Sequence, residues 1–169
     1  MAQTAATQTA AAIGPAQFAA ALRAEQDALG AFVSLLREEQ EVLIQGDADR
    51  LASLTHDKEA WIGKLSALGE ERNRHLAVQN LAGTAKGMTT WLERNPSLAA
   101  SVSATWKELL AQAESASQLN RNNGLLIESR VRQNRLKLAV LQMANASDGV
   151  YRADGQLRPL RRATSLGQV

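Results

Sequence analysis

Cysteine is absent from all 169 residues, which excludes disulfides, thiolate metal sites and a cysteine nucleophile. Aromatic residues make up only 4% of the chain and proline occurs three times. Runs of β-branched residues are missing, so the 45% apolar content is mostly alanine and leucine, the composition of an all-α chain. No apolar stretch approaches the roughly 20 residues needed to cross a bilayer. Met1 to Ala12 lacks lysine, arginine and an apolar core, so it does not read as a secretory signal. The expectation from these absences is a soluble, cytoplasmic helical protein with no membrane insertion.

Catalytic signatures are missing as well. His56 and His75 are the two histidines, and neither has a glutamate three residues before it, as a di-metal helical bundle requires. Glu71 and His75 lie four apart, but two groups do not make a metal site. No phosphate-binding glycine loop, no G-x-S-x-G and no Ser/His/Asp arrangement is present. Glu38, Glu39 and Glu41, like Glu70 and Glu71, fall between apolar positions and are expected on solvated faces rather than in a cleft that shifts their pKa. The sequence therefore reads as non-enzymatic, without metal or cofactor, and His75 as a partly buried bundle histidine.

What is present is helical periodicity. Residues 1–14, rich in Ala, Gln and Thr, cannot bury enough surface to order themselves and read as a disordered leader. Gly14-Pro15 then opens a helix, because proline's missing N–H costs nothing in a first turn. Leu22, Leu29, Leu36 and Leu43 recur every seventh residue, with Phe18, Phe32 and Val33 beside them, a heptad stripe. Gly46 is placed to end this helix, and Asp47 or Asp49 to cap the next. The second stripe runs Leu51, Leu54, Lys58, Trp61, Leu65, Leu68, Arg72, His75, broadened by Ile62 and Leu76. So short a connection makes the two helices an antiparallel hairpin.

Gly83 and Gly87 mark a weakening of the pattern. A short helix over Met88 to Arg94 carries Met88, Trp91 and Leu92, and Asn95-Pro96 closes it. A long helix follows, about Ser97 to Asn145, with Val102, Trp106, Leu109, Ala113 and Ala116 on one face. After it, residues 147–169 read as a mobile basic tail. The expected fold is an elongated antiparallel bundle of three long helices plus a short one, with a bundle domain over residues 15–146.

The net charge of +2 conceals an asymmetry. Residues 1–120 hold 10 Lys/Arg against 14 Asp/Glu, whereas residues 121–169 hold 9 against 3. The basic end calls for an acidic partner. It lacks stacking aromatics and a helix-turn-helix, so nucleic acid is not the partner read from it.

On a helical wheel the last helix has two apolar lines. Ile127, Val131, Leu138 and Leu141 fall within about 40° of one line, and Leu125, Leu136, Val140 and Met143 within about 40° of the opposite one. Arg130 and Lys137 lie on one flank, Glu128 and Arg135 on the other. One apolar face is expected in a bundle; a second has to be covered by the hairpin, by a second copy of the chain, or by a partner segment. The division read here makes Leu138 and Leu141 structural and gives Leu136, Val140 and Met143 to a partner, since methionine suits an adaptable surface.

The run Asn120-Arg121-Asn122-Asn123-Gly124-Leu125-Leu126-Ile127-Glu128-Ser129-Arg130 resembles the C-terminal motif of the FlgN family of flagellar export chaperones. Tyr151 with Asp154-Gly155, and the hairpin positions Leu43, Asp47, Leu51, Leu54, Lys58, Leu65, Leu68 and Arg72, are similar to that family too. Gly124 is the most specific of these, because glycine inside a helix costs about 1 kcal/mol relative to alanine. The Ala/Gln/Thr leader and the extension Arg158 to Arg162 depart from the pattern. The resemblance implies a non-enzymatic cytosolic chaperone for hook–filament junction proteins (the hook-associated proteins one and three). Such a chaperone holds the client's C-terminal helical segment, prevents premature association and presents it to the flagellar type III export gate. Carried over by position, Asn120, Asn123, Gly124 and Arg130 form the motif. Leu125, Ile127, Val131, Leu136, Val140 and Met143 become the client-binding candidates, and Tyr151 the candidate contact with the export gate. A structural coiled-coil homodimer and a basic helical nucleic-acid adaptor are the alternatives.

Overall fold

Gly14 and Pro15 start the first helix by supplying what a helix N-terminus lacks. In the computed structural model, which describes residues 14–148 and their side chains as far as residue 144, Gly14 is the N-cap and Pro15 the first helical residue. Its backbone N–H donates to the Gln17 side chain at 3.0 Å, satisfying a donor the helix itself leaves free. Helix α1 spans Pro15–Gln45 and stops at Gly46, whose φ of 81° is the left-handed conformation that glycine adopts without strain.

Asp47 caps α2 (Ala48–Val78) by accepting from the Arg50 backbone N–H at 3.0 Å. The other end of α2 is a Schellman motif. Asn80 takes a φ of 57°; its N–H reaches the Ala77 carbonyl, and the Leu81 N–H the Leu76 carbonyl, both at 2.9 Å. Leu81 then packs onto the cluster that contains Leu76.

Helix α3 (Ala85–Arg94) is capped by Thr84, which accepts from the Gly87 N–H at 3.3 Å. A side chain at Gly87 would put its Cβ 1.9 Å from the Ala82 carbonyl oxygen, so only glycine allows this chain reversal. Asn95 ends α3 and Pro96 begins α4 (Pro96–Asp148). Three long helices and a short one compose the described residues, with no strand among them. The all-α bundle expected from composition and periodicity is what forms.

The chain divides into a unit ending at Leu126 and another beginning at Ile127. In the first, α1 runs antiparallel to α2 and parallel to α4. Phe18, Leu22, Leu76, Met88, Trp91, Val102 and Leu109 fill the core around α3. Phe18 stacks on His75 with ring centroids 4.3 Å apart and tilts against Trp91 at 4.6 Å. Farther along, Val33 and Leu36 meet Ala116, and Leu35, Val42 and Leu54 close the hairpin end. Helix α1 contributes to all three clusters.

Every position of the two hairpin stripes is at least partly buried, as the periodicity requires. Corrections concern the neighbours. Ile62 is exposed while Leu76 is fully buried, because only the latter side faces α1 and α3. Ala113 is exposed and Gln112 takes its place in the seam. Glu39, expected on a solvated face, is only 3% exposed, and Glu25 is buried as well. Both continue the every-seventh series Phe18, Glu25, Phe32, Glu39, which lies on the buried side of α1. Arg72 pairs with Glu25, and Lys58 with Glu39. The two pairs are two heptads apart on both helices, so they fix one register for the whole hairpin. Burial pushes the Glu25 carboxyl up, against the pull of the Arg72 charge. The leader lies outside the described residues except for Gly14, as does the tail beyond Asp148; residues 147 and 148 themselves continue α4.

Two outcomes follow from this packing. Leu36→Ala is expected to cost about 2–5 kcal/mol in urea denaturation, because the side chain is fully enclosed, whereas Ile62→Ala costs less than about 0.5 kcal/mol. His75 is held below its ordinary pKa by burial, so the unfolded chain takes up a proton that the folded chain resists. Its contribution to stability is therefore complete above about pH 6.5 and declines as the pH falls below that value. Between pH 7.5 and pH 5.5 the wild type should lose more stability than a His75→Leu variant, which has no such proton to bind; Glu25 is common to both and cancels in the comparison.

Candidate functional site

The resemblance motif lies on α4, and its residues do not converge on one surface. Asn123 is 1% exposed. It extends the series Val102, Leu109, Ala116, Asn123, in which every seventh residue of α4 is buried. Asn120 is exposed, and Gly124 and Arg130 are half-buried.

Asn123 is a structural node. Its Nδ2 donates to the Leu36 carbonyl at 2.8 Å and to Glu39 Oε2 at 2.7 Å. Both partners only accept, so the amide orientation is determined by its surroundings. Lys58 Nζ donates to the two Glu39 oxygens at 3.0 and 2.9 Å. One buried carboxylate on α1 thus gathers a cation from α2 and an amide from α4. A buried charge is tolerated only with such pairing and hydrogen bonding. Asn123 Oδ1 is buried without a hydrogen-bond partner, a cost the node carries.

Gly124 presents the opposite case. A Cβ built there meets nothing within 4 Å. No packing within the described residues requires glycine at this position.

The second unit carries the exposed apolar candidates. From Val131 to Ala144 every residue is exposed. Leu136, Val140 and Met143 stand at 64%, 65% and 73% exposure, and Leu138 and Leu141 at 58% and 59%. Ile127 and Val131 are exposed too, as is Leu125 in the first unit. The division into a structural and a partner-binding line does not hold: Leu138 and Leu141 are as open as Leu136. A shallow depression lined by Ile127, Glu128, Val131, Arg132, Arg135 and Leu136 lies between the two lines. Residues 127–144 carry Arg130, Arg132, Arg135 and Lys137 against Glu128 alone, so the apolar surface sits in a positive field.

Among the described residues, no group of three or more His, Cys, Asp or Glu could hold a metal ion. No helix there is long and apolar enough to cross a membrane. Tyr151 lies outside the described residues. Sequence reasoning missed the Glu39 carboxylate and the inward direction of Asn123. The available signal was the seven-residue spacing, which both obey, set aside because the residues are polar.

In comparison with known proteins, the family model described as FlgN protein matches residues 15–159 of the chain. No curated protein matches it, and no solved structure does.

Asn123 and Gly124 are adjacent yet should respond in opposite directions. Asn123→Ala strips a donor from a buried carboxylate and carbonyl and is expected to cost about 1–3 kcal/mol. Gly124→Ala meets open space and a helical backbone, so it should stabilise the chain by about 0.5–1 kcal/mol. Thermal melts of the two variants beside the wild type check both signs.

Proposed function

The chain belongs to the FlgN family, whose members act as flagellar export chaperones, and from that premise we propose that its clients are the hook–filament junction proteins. It holds their C-terminal helical segment, keeps them from assembling prematurely and delivers them to the flagellar type III export apparatus. The function is binding rather than catalysis, and residues 15–146 form the domain that performs it.

One observation carries this reading. Five large apolar side chains, Leu136, Leu138, Val140, Leu141 and Met143, are more than half exposed along a short stretch of one helix. Isolated exposed leucines need no explanation, but two open apolar lines on one helix segment, Leu138 with Leu141 and Leu136 with Val140 and Met143, mark an interaction site. An amphipathic client helix laid against it is helix-in-groove recognition. Ile127 and Val131 belong to the same line as Leu138 and Leu141 within the second unit, and Leu125 is a separate exposed apolar candidate on the first unit. Arg132 and Arg135 beside the two lines draw in clients with acidic flanks, an attraction that salt screens.

The segment beyond Asp148 is assigned a different task. Tyr151 is its one aromatic residue, and we assign it the contact with the export gate, with residues 147–169 as the delivery tail. Client capture and delivery are then separable along the chain.

The test is direct. Isothermal titration of the protein with a junction protein's C-terminal segment should show binding that weakens as salt is raised. Val140→Asp should reduce that affinity about tenfold or more with the melting temperature unchanged, because the side chain is not buried. A chain ending at residue 148 should bind the client as the full chain does while failing to support its export. Unchanged client affinity in Val140→Asp, or export by the shortened chain, would contradict the corresponding half of the proposal.

A further inference from the structure

The two apolar lines of residues 127–144 are on opposite sides of one helix, and both are open. Ile127, Val131, Leu138 and Leu141 form the first; Leu136, Val140 and Met143 form the second, turned by about 180° at 100° per residue. A packed helix buries a stripe of its neighbour only about 100° wide. A single client helix therefore covers one line and leaves the other in water.

Three occupants could cover both. A second copy of this chain paired segment to segment would set Arg130, Arg132, Arg135 and Lys137 against the same four cations, with Glu128 alone to offset them. The chain's own residues 149–169 carry Arg152, Arg158, Arg161 and Arg162 against Asp154, and meet the same repulsion. A different protein with acidic residues flanking its apolar stripes has the complementary charge. Arg132 and Arg135, in the shallow depression between the two lines, are positioned to meet acidic residues from helices on either side.

Resting on the client-binding reading above, we propose that the second unit is clasped by two amphipathic, acid-flanked helices of one client, one on each apolar line. In this arrangement α4 supplies the third helix of a mixed bundle. The client's own helix pair is held apart by the helix inserted between them, which withholds the apolar faces that would otherwise associate.

The experiment uses the full chain with Leu138→Asp on the first line and Val140→Asp on the second, titrated with an intact junction protein and with a peptide of its C-terminal helix alone. Both substituted side chains are exposed, and unchanged melting curves verify that the variants fold. The expected result is a loss of about tenfold or more in affinity for the intact client from either substitution, while the single-helix peptide is sensitive to only one. If the intact client responds to just one substitution, or the peptide to both, the two-helix clasp is wrong and client binding stands. If neither substitution matters for the intact client, or the wild type does not bind it, the client-binding reading falls and the clasp with it. Light scattering supplies the remaining arm: a wild-type dimer that both substitutions dissociate would assign the surface to a second copy and overturn the proposal.

Discussion

The Glu39 carboxylate is the point on which the arrangement of the first unit depends. It is buried at the level where α1, α2 and α4 meet, and it draws one polar partner from each of the other two helices, Lys58 and Asn123. Apolar seams alone tolerate sliding, since a leucine that slips by one heptad finds another leucine. A buried charge does not, because any other register leaves it without its partners. Glu25 with Arg72 repeats the constraint two heptads away. Specificity of alignment is thus carried by a few polar groups, while the surrounding leucines and Phe18, Trp91 and Met88 supply most of the buried apolar area.

That alignment matters for α4 in particular. Helices α1 and α2 have 31 residues each, whereas α4 has 53. Helices of that length cannot cover α4 from end to end. Asn123 fixes which part of it packs into the first unit: the series Val102, Leu109, Ala116, Asn123 is enclosed. Its continuation at seven-residue steps would be Arg130 and Lys137, which offer little apolar area to bury. Beyond Asn123, Ile127, Val131, Leu138 and Leu141 keep roughly the direction of that series while Leu136, Val140 and Met143 point the opposite way, and both lines are exposed. A packed portion and an exposed apolar portion are thus parts of one continuous helix.

Helix ends and hairpin stripes were legible in the sequence because each rests on local chemistry. Gly46, Asp47 and Asn95-Pro96 act where they were read to act. Asn80 did the same kind of work unnoticed, since asparagine in the left-handed region gives a weaker signal than glycine. Gly87 was visible as punctuation, but its necessity comes from the Ala82 carbonyl folded back against it. The polar members of the seams were harder to read. Glu25 and Glu39 obey the same seven-residue spacing as Phe18 and Phe32, and Lys58 and Arg72 stand in the facing seam, yet a carboxylate such as Glu39, between apolar positions, reads as solvated until its partner is known.

By itself the sequence determined the helices, their order, the hairpin, the charge asymmetry and the two opposed apolar lines after Gly124. These follow from periodicity, capping and composition, which act within a few residues of one another. Tertiary structure decided which polar residues are enclosed, that Asn123 faces inward while Asn120 faces out, and that neither apolar line is covered among the described residues. The reason is that enclosure belongs to pairs of elements. Whether Glu39 meets water or Lys58, and whether Leu138 meets a neighbouring helix or none, depends on the lengths and register of helices far apart in the chain, and no local pattern contains that information.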